Sequence, residues 1–209
     1  MKRLVTKDDV DYALGPSPWD LGNEVLYSLC KDHPKHDRGD VIIAKVWLIG
    51  RAYAAAIERR KNAKNTSDDF YEATVVKKIR ESKLDQWLAS LPDQMTDPWC
   101  ELGSIVTVHK RLMDLFVDIT DLQKRSLASK YLHFHRPGLF FIYDSRAKGA
   151  ITKVTPSIKK IPKIQCEDED TEYLALVRRS QWLRDDIKER YNVLLTPRQL
   201  DKILLNIGK

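Results

Sequence analysis

The sequence predicts an all-α fold, a compact bundle of many helices with few or no strands. Apolar residues recur at three- and four-residue spacing along most of the chain, as they do on one face of a helix. Prolines, glycines and capping residues separate these segments. No run alternates apolar and polar residues over the length of a strand, and no Asn-Gly or Asp-Gly pair indicates a hairpin.

The first strongly marked helix opens at Ser17-Pro18-Trp19-Asp20, with an N-cap, a first-turn proline and an acidic residue at the positive end of the helix dipole. It carries Leu21, Val25, Leu26 and Leu29 and is expected to stop before Pro34. A second helix is predicted from Asp40 to Ile57. It is apolar nearly all round, which is typical of a central helix, and Gly50 would let a neighbouring backbone approach closely.

Further capping residues predict four more helices. Ser67 precedes a helix with Phe70, Val75 and Ile79 that continues to Leu88, and Asp97-Pro98 opens one that extends to Ile119. Asp121 is expected to cap a shorter helix that Pro137-Gly138 terminates. Thr196, with Pro197 and Gln199, forms a capping box by sequence.

Composition limits the class of protein. The chain has 209 residues, 43% hydrophobic and 32% charged, which is too apolar for a disordered chain and too charged for a membrane protein. We expect one domain over 1–209, or two lobes, with 38–150 in one and 1–37 together with 151–209 in the other. The N-terminal segment has no apolar core and no stretch approaches ~20 apolar residues, so we expect a cytoplasmic protein without a membrane partner.

Standard catalytic and metal-binding signatures are absent. The sequence has no Walker loop, no G-x-G-x-x-G, no H-E-x-x-H and no G-x-S-x-G. Three scattered cysteines, without C-x-x-C spacing, favour reduced and mostly buried thiols. His33-Pro34-Lys35-His36 is interpreted as an exposed loop, and His109 as a core or interface histidine rather than a ligand. We therefore predict no metal and no cofactor.

The segment from Arg125 to Arg146 is the candidate functional region, because it concentrates titratable and aromatic groups around an apolar turn. Within it, Asp144 follows the apolar run Leu139–Tyr143 and precedes a helix that begins at Ser145. Such an aspartate typically caps the helix. Held beside a ligand, the same carboxylate could also stabilise an oxocarbenium ion or orient a water molecule.

This layout resembles the helix-hairpin-helix superfamily of DNA glycosylases, in which a loop and a short extended piece deliver an aspartate that caps the next helix. The resemblance rests on Leu127–Leu132, Pro137-Gly138 and Phe141–Arg146. It implies an orthogonal helical bundle that excises a damaged or modified base from double-stranded DNA by base flipping, in repair or in defence against foreign DNA, with Asp144 as the catalytic carboxylate.

The resemblance also implies further site residues. Backbone-cleaving members place a nucleophilic lysine before the aspartate, for which Lys124 and Lys130 are the candidates, although an enzyme that uses only the carboxylate is favoured here. Aromatic and imidazole groups are expected to hold the flipped base. These are Tyr131, His133, His135 and Tyr143.

DNA anchoring is expected from basic side chains, because the hairpin position, 118–125, lacks the glycines that bind phosphate in the family. The formal net charge is +6, and the stretch 146–163 contains no acidic residue before 167–172 reverses the sign. The predicted DNA-binding residues are Arg125, Arg146, Lys148, Lys153, Lys159 and Lys160. The same basic stretch also contains Lys163.

Two functions stay open at this point. The segments 130–137 and 142–145, with the terminal segment 198–204, also resemble a group of uncharacterised bacterial all-helical proteins, a likeness that carries no chemistry. The alternative to a glycosylase is a noncatalytic all-helical protein that binds nucleic acid. The sequence leaves the target base, lyase activity, the choice of DNA or RNA, and the oligomeric state undetermined.

Overall fold

The structure, a computed structural model, describes residues 3–59 and 69–209, and within these ranges it contains ten α-helices and no strand. In chain order these are α1 (Lys7–Leu14), α2 (Asp20–Asp32), α3 (Gly39–Ala52), α4 (Lys77–Glu81), α5 (Leu84–Ala89), α6 (Pro98–Thr120), α7 (Arg125–His135), α8 (Ser145–Val154), α9 (Thr171–Tyr191) and α10 (Pro197–Ile207). A π-helical segment, Phe70–Val76, leads into α4, and a 3₁₀ turn, Ile158–Lys160, precedes α9. The all-α prediction is confirmed.

Helix α7 is the most enclosed element, since every residue from Leu127 to Phe134 is buried. It packs against α2, α3 and α6, while α10 packs against α1 and α8. One cluster of contacting buried apolar side chains includes residues from each helix, α1 to α10. No helix in the described ranges combines the length and apolar character that crossing a membrane requires.

Local capping signals predicted several helix starts. Thr196 and Gln199 form the capping box at α10, and α6 begins at Pro98 as predicted. At α2 the predicted N-cap, Ser17, is wrong, because the helix begins at Asp20. The Asp20 carboxylate instead accepts from the backbone N–H of Ser17 at 2.6 Å. Leu21 and Val25 are exposed, and the buried side chains of α2 are Asn23, Leu26 and Cys30.

The prediction that the second helix reaches Ile57 is wrong, because α3 ends at Ala52. Ala54 has a φ of 51°, which turns the chain back, and the Ala55 N–H donates to the Gly50 carbonyl at 2.7 Å. A Cβ on Gly50 would lie 3.3 Å from Ala56 Cα. The close backbone approach expected at Gly50 is therefore made by the loop that follows the same helix.

Other boundaries also differ. Asp121 does not cap α7; it ends α6 in the left-handed conformation, with a φ of 56°, and α7 begins at Arg125. The predicted helix from Phe70 to Leu88 is divided among the π-helical segment, α4 and α5. Its predicted cap, Ser67, lies outside the described residues. Of the three cysteines only Cys30 is buried.

Candidate functional site

Asp144 lies at the surface, directly after a buried segment of the chain. After α7 ends, a turn over 137–139 leads into the non-helical residues 140–143; Leu139–Ile142 lie in the core, and Asp144 follows as the N-cap of α8. Its Oδ1 accepts from the backbone N–H of Arg146 at 2.9 Å. The side chain stays 27% exposed. The carboxylate is thus fixed by a backbone donor and still open to a ligand.

Lys130 faces this carboxylate from the interior. Its side chain is 3% exposed, and its Nζ lies 3.9 Å from Asp144 Oδ2. The ammonium also donates to Ser126 Oγ at 2.8 Å and to the Tyr53 carbonyl at 3.1 Å. Burial lowers the pKa of Lys130, and the charge of Asp144 opposes that shift. The two residues form an ion pair with one buried and one accessible partner.

A second carboxylate, Asp201 of α10, belongs to the same surroundings and was missed in the sequence analysis. It is 4% exposed, and its Oδ2 accepts from Arg198 Nη1 at 2.7 Å. Burial raises its pKa to about 6; Arg198 and Lys130 oppose this shift, and Asp144 adds to it. A pair of neighbouring carboxyl groups, one buried and one accessible, is typical of sites that use an acid and a base.

Several polar atoms in these surroundings have no hydrogen-bond partner within the described part of the chain. They are Asp201 Oδ1, Arg198 Nε and Asn23 Nδ2. Asn23 is tied to the site through Tyr53, whose hydroxyl donates to Asn23 Oδ1 at 2.6 Å. Each unpartnered buried group costs about 1 to 3 kcal/mol, so their grouping favours a site that water or a ligand completes. The Asp144 cluster is defined as Asp144, Lys130, Asp201, Arg198, Tyr53 and Asn23.

Tyr143 and Arg125 lie beside the cluster and contact carboxylates at the N-terminal end of α9. The Tyr143 hydroxyl donates to Glu172 Oε2 at 2.6 Å, and the Arg125 guanidinium lies 5.3 Å from the Tyr143 ring centre. Arg125 also donates from Nη2 to Asp170 Oδ2 at 2.6 Å. Arg125 is therefore paired with carboxylates of its own chain.

Tyr131 and His133 lie in the core, and neither contacts Asp144 in the described structure. The Tyr131 hydroxyl is hydrogen-bonded to His36 Nε2 at 2.8 Å. His133 Nδ1 lies 2.9 Å from the Phe140 carbonyl and its Nε2 lies 2.7 Å from the Tyr27 hydroxyl. Burial lowers the pKa of His133 to about 4, so the neutral ring donates from Nδ1 and accepts at Nε2.

His135 lines a separate cavity beside His36. The interpretation of His33–His36 as an exposed loop is wrong for His36, which is 4% exposed and lies 2.5 Å, Nδ1 to Oδ1, from Asp85. His109 is a core histidine as expected, stacked on Tyr173 with ring centres 3.5 Å apart. These partners come from distant parts of the chain, which is why local sequence did not indicate them.

Lys124 is hydrogen-bonded to the loop that follows α3. Its Nζ donates to the Ala56 carbonyl at 3.0 Å and also to the carbonyl of Arg59. Burial lowers the pKa of Lys124. Of the two candidate lysines, Lys130 lies beside Asp144, whereas Lys124 is bound to loop carbonyls.

The predicted DNA-binding residues fall into two groups. Arg146 is exposed with its Nε 3.8 Å from Asp144 Oδ1, and Lys148 pairs with Glu172 at 2.5 Å. The remaining lysines are exposed, and within residues 3–59 and 69–209 they form no ion pair. These are Lys153, Lys159, Lys160 and Lys163.

The described residues contain no group of three or more His, Cys, Asp or Glu side chains placed to hold a metal ion. Comparison of the chain with protein-family models, with curated proteins and with solved structures finds no match.

Proposed function

We propose that the protein hydrolyses an N-glycosidic bond in DNA, with Asp144 as the carboxylate that faces the sugar. The observation that carries the proposal is the fixed, accessible Asp144 at the N-terminus of α8, opposite the buried Lys130. Cleavage of such a bond develops positive charge on the sugar, and a fixed carboxylate stabilises that charge without reorganising.

In the proposed reaction, water adds to C1′ of the flipped nucleotide as the bond from C1′ to the base nitrogen breaks, and the base leaves with a proton. Asp144 Oδ1 is held by the Arg146 N–H, and Lys130 Nζ lies 3.9 Å from Oδ2. The carboxylate is thus oriented for the sugar or for the attacking water. Asp201, with a pKa of about 6, can hold a proton next to Asp144 and Lys130.

Lys130 acts in this proposal through its charge. Its ammonium already donates to Ser126 and Tyr53 and is 3% exposed, so it is poorly placed to attack a sugar carbon. Lys124 is held by loop carbonyls. These contacts favour base excision without cleavage of the DNA backbone.

The experiment that tests the proposal incubates the protein with duplexes that each contain one modified base, followed by alkali, which cleaves the strand at abasic sites. Asp144→Asn is the informative variant, because asparagine caps a helix as well as aspartate does and only the charge is lost. We expect alkali-labile sites from the wild type on at least one modified base and none from Asp144→Asn.

Asp121→Asn is the matched control, since it removes an exposed carboxylate at another helix end in a left-handed conformation that asparagine tolerates. It is expected to keep the wild-type activity. Equal yields from the wild type and Asp144→Asn, or no product on any base, would contradict the proposal.

A noncatalytic nucleic-acid-binding role is the second candidate, favoured by the exposed lysines between 153 and 163. Within the described residues their charge is not neutralised by ion pairs, whereas Arg125 and Lys148 are paired. Free surface lysines attract phosphates by releasing counterions. This role predicts binding that Asp144→Asn leaves unchanged and no release of a base.

A further inference from the structure

A cavity of about 740 Å³ lies between the C-terminal end of α2, helix α5 and the C-terminal end of α7. Its lining includes Cys30, Leu88, Ala89, Phe134 and His135. This volume falls within the range of sites that bind small molecules. Nothing in the proposed DNA chemistry uses the cavity.

Three aromatic or imidazole side chains line the cavity: Tyr27, Phe134 and His135. The His135 ring centre lies 5.0 Å from that of His36 and 4.9 Å from that of Tyr131, both in tilted arrangements. Burial lowers the pKa of His135 well below its usual value, and the nearby Lys45 lowers it further. Burial also raises the pKa of the Cys30 thiol to about 12. Phe134 and His135 therefore offer flat, uncharged surfaces for an apolar ring.

The charged side chains at the cavity have an excess of positive charge. Lys31 and Lys35 are exposed and form no ion pair in the described part of the chain, and Arg136 is paired only with Asp93, which is 95% exposed. The one carboxylate among the lining residues is Asp85, and both of its oxygens are occupied by His36.

We propose that this cavity binds a small planar aromatic anion. The ring would lie against Phe134 and His135, and the acid group would face Lys31, Lys35 and Arg136. Charge complementarity selects this class of ligand, because a cationic molecule would meet three cations at the same opening. The inference does not depend on the proposed function.

The test uses two naphthalene probes of similar shape, 8-anilino-1-naphthalenesulfonate, which carries a sulfonate, and N-phenyl-1-naphthylamine, which carries no charge. Their fluorescence is titrated with the wild type and two variants. Ala89→Trp fills the cavity from an exposed position of α5, and the double variant Lys31→Glu/Lys35→Glu reverses the charge. Lys188→Glu, at an exposed position of α9, is the control.

We expect the wild type to bind one sulfonate per chain. Ala89→Trp abolishes the binding of both probes, and the double variant weakens the sulfonate about tenfold or more while leaving the neutral probe within about twofold. Lys188→Glu behaves as the wild type. The far-ultraviolet circular dichroism of each variant verifies its fold.

Three results would overturn the proposal: no saturable binding of the sulfonate by the wild type, unchanged binding by a folded Ala89→Trp, or an equal loss of both probes in the double variant. If Ala89→Trp does not fold, the proposal is tested by the difference in binding between the two probes in the double variant.

Discussion

Asp144 and Asp201, at two neighbouring helices, differ in their exposure to solvent and in their hydrogen-bond partners. Asp144 is 27% exposed and accepts from a backbone N–H. Asp201 is 4% exposed with one oxygen unpartnered, and burial raises its pKa to about 6. The proposed function needs this contrast, since one group must carry charge while the other can hold a proton.

The raised pKa of Asp201 predicts a pH-dependent contribution to stability. Because the folded carboxyl takes up its proton near pH 6 and the unfolded one near the ordinary value of 3.8, the folded state gains stability as the pH falls from 7 to 5. Asp201→Asn removes this gain. The difference in unfolding free energy, wild type minus variant, is expected to rise by about 1 kcal/mol between pH 7 and pH 5.

Urea denaturation of both proteins at pH 5, 6 and 7 measures this difference. The buried histidines, whose pKa values are lowered, destabilise both proteins in acid and cancel in the comparison. The control variant Asp121→Asn, which removes an exposed carboxylate, is expected to show no such trend. A pH-independent difference for Asp201→Asn would show that the Asp201 carboxyl is not perturbed by its burial.

Sequence alone predicted Asp144 because its cap is local, made to a backbone N–H two residues away. Asp201 could not be found that way, since its position beside Lys130 follows from the packing of α10 against α8. His36 was misjudged for the same reason. Its partners, Asp85 and Tyr131, are 49 and 95 residues away in sequence.

At the scale of elements, caps and prolines located the starts of α6, α8 and α10, because those signals act within one helical turn. The end of α3 was missed because the reversal at Ala54 depends on how the loop packs on Gly50. Apolar spacing likewise did not show the break between α4 and α5 at 82–83.

A pair of helical glycines tests the packing of two elements. A Cβ on Gly103 of α6 would lie 1.9 Å from the backbone carbonyl oxygen of Gln165, whereas a Cβ on Gly149 of α8 meets no atom within 4 Å. Gly103→Ala is expected to lower the free energy of unfolding by about 1 to 3 kcal/mol, because backbone has to move. Gly149→Ala is expected to raise it by up to about 1 kcal/mol.

Thermal and urea unfolding of the two variants checks this prediction, with each serving as the control for the other. The same chemical change is expected to have opposite signs at the two sites. A neutral or stabilising Gly103→Ala would contradict the described contact between α6 and the segment before α9.

At the scale of the whole molecule, the net charge is +6, and some of the basic side chains are paired with carboxylates while others in the described part of the chain are not. The acidic segment 167–172 neutralises Arg111, Arg125 and Lys148, and the lysines from 153 to 163 stay free of ion pairs within the described residues. The basic stretch was predicted from the sequence, and among the described residues the structure divides it into paired and unpaired side chains. Binding of DNA is therefore expected to depend on the free lysines.

This division predicts the salt dependence of DNA binding. Replacing Lys159, Lys160 and Lys163 by glutamine is expected to lower the slope of log affinity against log salt by about two to three, since each lost phosphate contact accounts for about 0.9. The control triple variant, Lys77→Gln/Lys83→Gln/Lys188→Gln, removes the same charge from other exposed positions. Equal slopes for the two triple variants would show that only net charge matters.

The central claim is that the Asp144 carboxylate performs the chemistry, and the rate of base release in a single turnover tests it most directly. On the modified duplex that the wild type processes fastest, we expect Asp144→Asn to lose at least about 100-fold in rate while its DNA affinity and unfolding midpoint stay close to the wild type. Release of the base at the wild-type rate by a folded, DNA-bound Asp144→Asn would contradict the claim.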